Sequence, residues 1–188
     1  MRRDQLEHAI RTACQIIGAP EVIVVGSQSI LATYREDELP NAATMSVEVD
    51  ILPIADSDAE TERLADLIEG VAGELSVFEQ THGYSIDGVD MSTSALPEGW
   101  RSRLVKVQNA NTAASSGKPQ LTGWCLDKED LCVAKLVALR EKDQNFVGSL
   151  LDHGLVDADI IAERLPRVAE RFHPGAGRAV DWLVARRS

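Results

Sequence analysis

The chain has 188 residues, 44% of them hydrophobic, and a formal net charge of −11. That length suits one ordinary domain, or a core with a helical appendage, and the charge argues against a general nucleic-acid binder, whose affinity rests on neutralising phosphates. No apolar stretch approaches the roughly 20 residues that span a bilayer. Met1-Arg2-Arg3 leads into the charged segment Asp4 to Arg11 with no signal-peptide core behind it, so a cytoplasmic protein with no membrane partner is expected.

Taken in chain order, Leu6, Ala9, Ile10, Ala13, Ile16 and Ile17 recur at helical spacing, which predicts a helix over residues 4–17 that ends at Gly18 before Pro20. Glu21 to Val25 reads as a buried strand and Ser27 to about Tyr34 as a helix after a Gly-Ser turn. Arg35 to Thr44, polar and holding Pro40 and Asn41, reads as a loop that returns the chain to a strand at Val47 to Ile54. Ser57-Asp58-Ala59-Glu60 is a capping box; it opens a helix through Leu64, Leu67, Ile68 and Val71 that closes at Gly73.

A short strand is expected at Ser76 to Glu79, then hairpin-like, turn-rich structure from Gly83 to Met91 and a turn at Leu96 to Trp100. Arg103 to Val107 alternates as a strand with basic residues on one face. Asn109 to Gln120 is small and polar; its Ser115-Ser116-Gly117-Lys118 lacks the spacing of a phosphate-binding loop, since Thr112 and Pro119 stand where a Gly and a Ser or Thr are needed, and a flexible hairpin loop is expected. Leu121 to Leu126 reads as a further strand, and Asp127 caps the next helix. From there the chain turns helical, over about 128–141, 144–152, 157–171 and 176–187. The expected fold class is α+β, with a core of mixed sheet and flanking helices over 1–126 and a helical bundle over 127–188.

Three features carry chemistry. Val24-Val25-Gly26-Ser27 runs an apolar strand into a turn whose backbone N–H groups and hydroxyl suit phosphate. In Ser46-Val47-Glu48-Val49-Asp50-Ile51, alternation puts Glu48 and Asp50 on one face and Val47, Val49 and Ile51 toward the core. Side-by-side carboxylates ask for a cation, and Mg²⁺ shared with substrate phosphates is the usual answer, although the same alternation describes any half-buried strand. Lys135 is the one polar position in the apolar run Leu131 to Leu139, so it either snorkels or answers a buried negative charge, and a partner is expected, either a carboxylate in an ion pair or a phosphate.

Gly26-Ser27, Ser46-Val47-Glu48-Val49-Asp50 and Lys135-Leu-Val-Ala-Leu-Arg140-Glu-Lys-Asp143, in that order, resemble the motif series of the nucleotidyltransferase superfamily related to DNA polymerase β, and within it the AbiEii/MenT-type toxins and their relatives, over residues 20–155. The resemblance implies that Gly26 and Ser27 contact nucleotide phosphates, that Glu48 and Asp50 bind Mg²⁺ in a site that can take two ions, that Lys135 meets the triphosphate, and that Asp143 orients or charge-balances it. It further implies transfer of a nucleotide, mainly from CTP, to the 3′ end of tRNA, and a toxin silenced by a cognate antitoxin. Ser46, two residues before Glu48, is then a candidate for regulatory phosphorylation, since about −2 charge there would oppose triphosphate binding. The first acid is Glu48 where Asp is commoner, the gap from Ser27 to Glu48 is longer than usual, and no third carboxylate is assigned; Asp87 and Asp90 read as solvated turn acids.

Charge is polarised along the chain. Between Glu36 and Glu98 there are sixteen acids and one base, Arg63, whereas from Ile160 to Ser188 there are six Arg and three acids. The acidic stretch suits a basic protein partner or plain solvation, and the C-terminal arginines with Arg101, Arg103 and Lys106 are the groups able to hold a tRNA acceptor stem. The alternative acceptors are a small cationic hydroxyl compound or a protein side chain, and the alternative to an enzyme is a degenerate member that binds nucleotide or a partner without turnover. Cys14, Cys125 and Cys132 form no CxxC pair and the four His are scattered, so neither a disulfide framework nor a zinc site is expected.

Overall fold

The computed structural model describes residues 1–92, 94–114 and 116–187. Among the described residues, five strands run at Glu21–Val24 (β1), Glu48–Pro53 (β2), Ser85–Gly88 (β3), Val105–Val107 (β4) and Thr122–Cys125 (β5). They form one mixed sheet in the order β3-β2-β1-β5-β4. β1 pairs antiparallel with β2 and parallel with β5, β2 pairs parallel with β3, and β4 runs antiparallel to β5. The fold class is α+β.

The first helix, Arg3–Ile17 (α1), buries Leu6, Ala9, Ile10, Ala13 and Cys14 and ends at Gly18, whose φ of 68° is the left-handed conformation that favours glycine. Full burial of a side chain such as Leu6 or Ile10 contributes roughly 1.5–3 kcal/mol, and these residues fasten α1 to the sheet. Ser27–Ala32 is a 3₁₀ helix rather than an α-helix. The expected loop at 35–44 instead holds a 3₁₀ turn, Glu36–Glu38, and a short helix, Asn41–Thr44 (α2), whose Ala43 is buried. Pro40 supplies the extended residue before α2, so it starts a helical turn there.

Asp58–Ala72 (α3) begins as the capping box predicts, with Ser57 Oγ accepting from Glu60 N–H, and ends at Gly73. The expected strand at 76–79 is a helix, Val77–His82 (α4). Ser76 Oγ accepts from the Glu79 N–H and Gly83 closes the helix at φ 76°, so a second Ser-x-x-Glu box overrides the β-branched and aromatic residues. The turn-rich segment that follows is no hairpin: Ser85–Gly88 is an edge strand, parallel to β2 because α3 and α4 carry the chain back across the sheet. α3 lies so close to β3 that a Cβ on Gly88 would fall 1.9 Å from the Ala65 carbonyl oxygen.

Arg103 ends a 3₁₀ turn, Trp100–Arg103, and the strand is only β4. The 109–120 segment folds back on itself through an Ala113–Gln120 bridge; Ser115, the first residue of its Ser-Ser-Gly-Lys stretch, lies outside the described residues. Asp127 caps Lys128–Ala138 (α5), accepting from the N–H groups of Glu129 and Asp130. α5 stops earlier than expected because Leu139 turns left-handed at φ 53°, a stop with no glycine to announce it. Glu141–Asp152 (α6), Ala158–Arg164 (α7) and His173–Arg187 (α8) complete the helical part, with two 3₁₀ turns, Leu165–Arg167 and Glu170–Phe172, where one helix over 157–171 is expected. One cluster of buried residues runs from α1 and the sheet through α5, α6 and α8.

Candidate active site

β1 and β2 are in register as Val22 with Pro53 and Val24 with Ile51, and Val25 N–H donates to the Asp50 carbonyl oxygen at 3.1 Å. Gly26 therefore leaves the sheet against Asp50. A Cβ on Gly26 would sit 1.5 Å from Asp50 Oδ2 and 2.4 Å from its Cγ, so only glycine leaves room for the carboxylate. Gly26 adopts φ −89° and ψ −167°, open to any residue, so the requirement is space alone. Ser29 Oγ donates to the Gly26 carbonyl at 2.8 Å and steadies the turn.

Val49 and Ile51 are fully buried, and Glu48 and Asp50 share the opposite face. Val47 departs from the expected alternation: it is 50% exposed, because it lies in the lead-in before β2. Burial pushes the Asp50 carboxyl above its ordinary range, Asp87 adds to the rise, and Lys135 opposes it. Ser46 also precedes the strand. Its Oγ accepts from the Glu48 N–H at 3.3 Å, and its carbonyl accepts from Gln28 Nε2 at 2.8 Å, which ties the lead-in to the 3₁₀ helix after Ser27.

On the other side, the break at Leu139 folds α6 back so that Asp143, fully buried, meets two cations: Lys135 Nζ on α5 at 3.4 Å and Arg140 Nε, at the N-cap of its own helix, at 2.6 Å. Lys135 is 13% exposed and its Nζ lies 4.6 Å from the centre of the Phe146 ring. Burial pulls its ammonium below the ordinary lysine range, against the opposing charges of Asp143 and then Asp50. Burial alone would raise the Asp143 carboxyl, but the hydrogen bond from Arg140 and the charge of Lys135 hold it low. Lys135 thus has the carboxylate partner of an ion pair and also lines the cleft.

A cleft of about 650 Å³ joins these parts. Gly26, Ser27, Ser46, Glu48, Asp50 and Lys135 all line it; Asp143 stands behind Lys135. Three further side chains, Arg140, Lys142 and Asn145, line it from the start of α6. Arg140 and Lys142 were within the Lys135–Asp143 motif, but without the helix break nothing in the spacing turned them toward the cleft.

Among the described residues, no three His, Cys, Asp or Glu side chains are gathered so as to hold a metal ion by themselves. The donor set does fit Mg²⁺ shared with a substrate: two hard carboxylates, Glu48 and Asp50, face an open cleft in which phosphate and water oxygens complete the shell. Asp87 corrects its reading as a solvated turn acid. It pairs in register with Asp50 on the neighbouring strand, its Oδ1 is buried without a hydrogen-bond partner, and burial with the nearby Glu48, Glu74 and Glu79 raises its carboxyl, against a hydrogen bond from Ser85. The signal was an Ile-Asp-Gly edge strand too short to stand out from turns.

The basic groups assigned to an acceptor stem are mostly engaged elsewhere. Arg103 Nε is 2.8 Å from the fully buried Asp130, Arg164 bridges Asp127 and Asp130, Arg167 pairs with Glu163 and Arg186 with Asp152. Arg101 and Lys106 lie over the Trp100 and Trp124 rings. No described helix is long and apolar enough to cross a membrane.

A family model described as a nucleotidyltransferase of unknown function (DUF6036) matches residues 4–173. No curated protein and no solved structure matches the chain.

Proposed function

The chain belongs to this nucleotidyltransferase family, and from that premise we propose that it transfers a nucleotide from a nucleoside triphosphate to a hydroxyl acceptor with Mg²⁺. One observation carries the reading: the Gly26-Ser27 turn, the acids Glu48 and Asp50, and the cations Lys135 and Arg140 converge on a single cleft. Ser27 holds phosphate oxygens through its hydroxyl and N–H. Lys135 and Arg140, steadied by Asp143, face the outer phosphates and the charge that grows on the departing pyrophosphate. Glu48 and Asp50 would hold Mg²⁺, which would supply positive charge to neutralise the phosphates and the charge that develops in the transition state. The acceptor oxygen forms the new bond to that phosphorus as the bond to the bridging oxygen breaks. Asp87, paired in register with Asp50 and with its carboxyl raised by burial, is the group we assign to take the acceptor's proton.

For the acceptor and biology we propose the 3′ end of tRNA, CTP as donor, and a toxin held in check by a cognate antitoxin, on the strength of the motif resemblance. Ser46 would be the switch: Ser46→Asp should abolish transfer, whereas Ser46→Ala should keep it. A second reading, in which the acceptor is a small cationic compound or a protein hydroxyl, is favoured by the acidic 36–98 segment and by the ion pairing of Arg164, Arg167 and Arg186. Incubation with each of four α-labelled triphosphates, Mg²⁺ and total RNA, resolved on denaturing RNA and protein gels, decides. Label in tRNA upholds the first reading, and label in protein or a small molecule the second. No label, with a Mg²⁺-dependent nucleotide shift in melting, would make this a non-catalytic binder.

A further inference from the structure

The acidic part of the chain holds a surface that the cleft does not use. On the outer face of α3, Leu67 is 39% and Val71, one turn on, 50% exposed; just past the helix, Leu75 is 82% and Val77 78% exposed. Gly70 stands between the first two, in mid-helix, where a Cβ would meet nothing within 4 Å. A glycine there weakens the helix, and no contact within the chain accounts for the missing side chain. Its effect is to flatten the surface between two apolar residues, which lets another backbone approach closely. Leu75 adds a second local cost: it sits at φ 63°, fixed by donation of its N–H to Glu79 Oε2 at 2.6 Å, and the turn that results points away from the core.

The rim of this ridge has one sign. Glu62, Asp66, Glu69 and Glu74 are exposed around it, and the one base between Glu36 and Glu98, Arg63, pairs with Glu60 at 2.7 Å. Two apolar residues one helical turn apart, extended by two more in and after the turn beyond the helix, within an acidic field match an amphipathic helix whose polar flanks are basic. A second copy of the chain fits poorly, because two acidic rims would meet, and the chain's own basic end has Arg164, Arg167 and Arg186 tied to acids.

We infer that Leu67, Gly70, Val71, Leu75 and Val77 form a docking surface for another protein that presents a basic amphipathic helix. The inference does not depend on the proposed transfer reaction. Its test uses a fluorescein-labelled 18-residue Leu/Lys peptide with helical amphipathic spacing and an isomer of the same composition without it, titrated by anisotropy at 150 mM salt. Wild-type protein should bind the amphipathic peptide at least tenfold more tightly than the isomer, and Val71→Ser/Leu75→Ser/Val77→Ser should lose that preference. Gly70→Gln provides the control against misfolding: it should raise the melting temperature, by helix propensity, and still weaken the peptide at least fivefold. Equal binding of the two peptides, or an unchanged preference in both variants, overturns the inference. So does sedimentation showing a wild-type dimer that the triple-serine variant abolishes, since the occupant is then a second copy.

Discussion

Gly26→Ala isolates the geometry of the cleft in a single methyl group. The new Cβ would lie 1.5 Å from Asp50 Oδ2, whereas ordinary contact begins at 3.4 Å, so the carboxylate must move by about 2 Å, on a scale where 1 Å can cost a hundredfold in rate. The backbone needs no change, since φ −89° suits alanine. Overpacking against a tightly held side chain costs about 1–3 kcal/mol, and at about 2–4 °C per kcal/mol for a chain of this size the melting temperature should fall by roughly 2–12 °C. The variant should fold, lose transfer at least a hundredfold, and lose the melting shift produced by Mg²⁺ with triphosphate. Replacing Asp50 by Ala in the same chain should recover part of the lost stability, because the clash is with that side chain. The reasoning fails if Gly26→Ala keeps more than a third of wild-type transfer, or if its stability loss is the same with Asp50 absent.

Further variants probe the charges. Asp50→Asn should raise the melting temperature at pH 7 while abolishing transfer, because a carboxyl whose folded pKa is raised weakens the fold wherever it is ionised; scanning calorimetry across pH should show the gain vanish in acid, where the wild-type group is protonated. Asp143→Ala leaves Lys135 buried without its carboxylate and should cost about 3–5 kcal/mol by denaturant titration. The wild-type Asp143 carboxyl is lowered, so its contribution is complete above its unfolded value near 3.9 and is lost as pH falls through the folded value; Asp143→Asn should flatten that acid limb. Arg103→Ala should cost about 1–3 kcal/mol by loss of its bonds to buried Asp130, yet leave the affinity for tRNA unchanged in filter binding.

The residues that converge on the cleft were legible wherever local chemistry and tertiary placement agree. Gly26-Ser27 follows a strand, and Glu48 and Asp50 alternate with buried Val49 and Ile51. Lys135 stands out because everything around it on α5 is apolar. Local sequence falls short where the decisive fact is a neighbour distant in sequence or an unmarked backbone turn. Asp87 gains its meaning from parallel pairing with Asp50, which no local pattern in Ser85–Gly88 declares. Arg140 reaches the cleft because Leu139 adopts a conformation usually left to glycine. Arg103 alternates like a strand residue but is captured by Asp130, 27 positions away. The Ser76-x-x-Glu79 cap is, by contrast, a local signal that prevails over the β propensity of Val77 and Phe78, so the helix there is legible from pattern alone.

The central claim is that Glu48, Asp50 and Lys135 act together on a Mg²⁺-bound triphosphate. Its most direct test is pyrophosphate release from each triphosphate in the presence of total RNA and cell extract, with α-label transfer followed in parallel, for wild type, Asp50→Asn and Lys135→Met. The account predicts Mg²⁺-dependent pyrophosphate release matched by label transfer in the wild type, stopped by EDTA and by either substitution while both variants remain folded. Release that persists in Asp50→Asn, or a wild type that neither releases pyrophosphate nor gains thermal stability from any Mg²⁺–triphosphate, would contradict it.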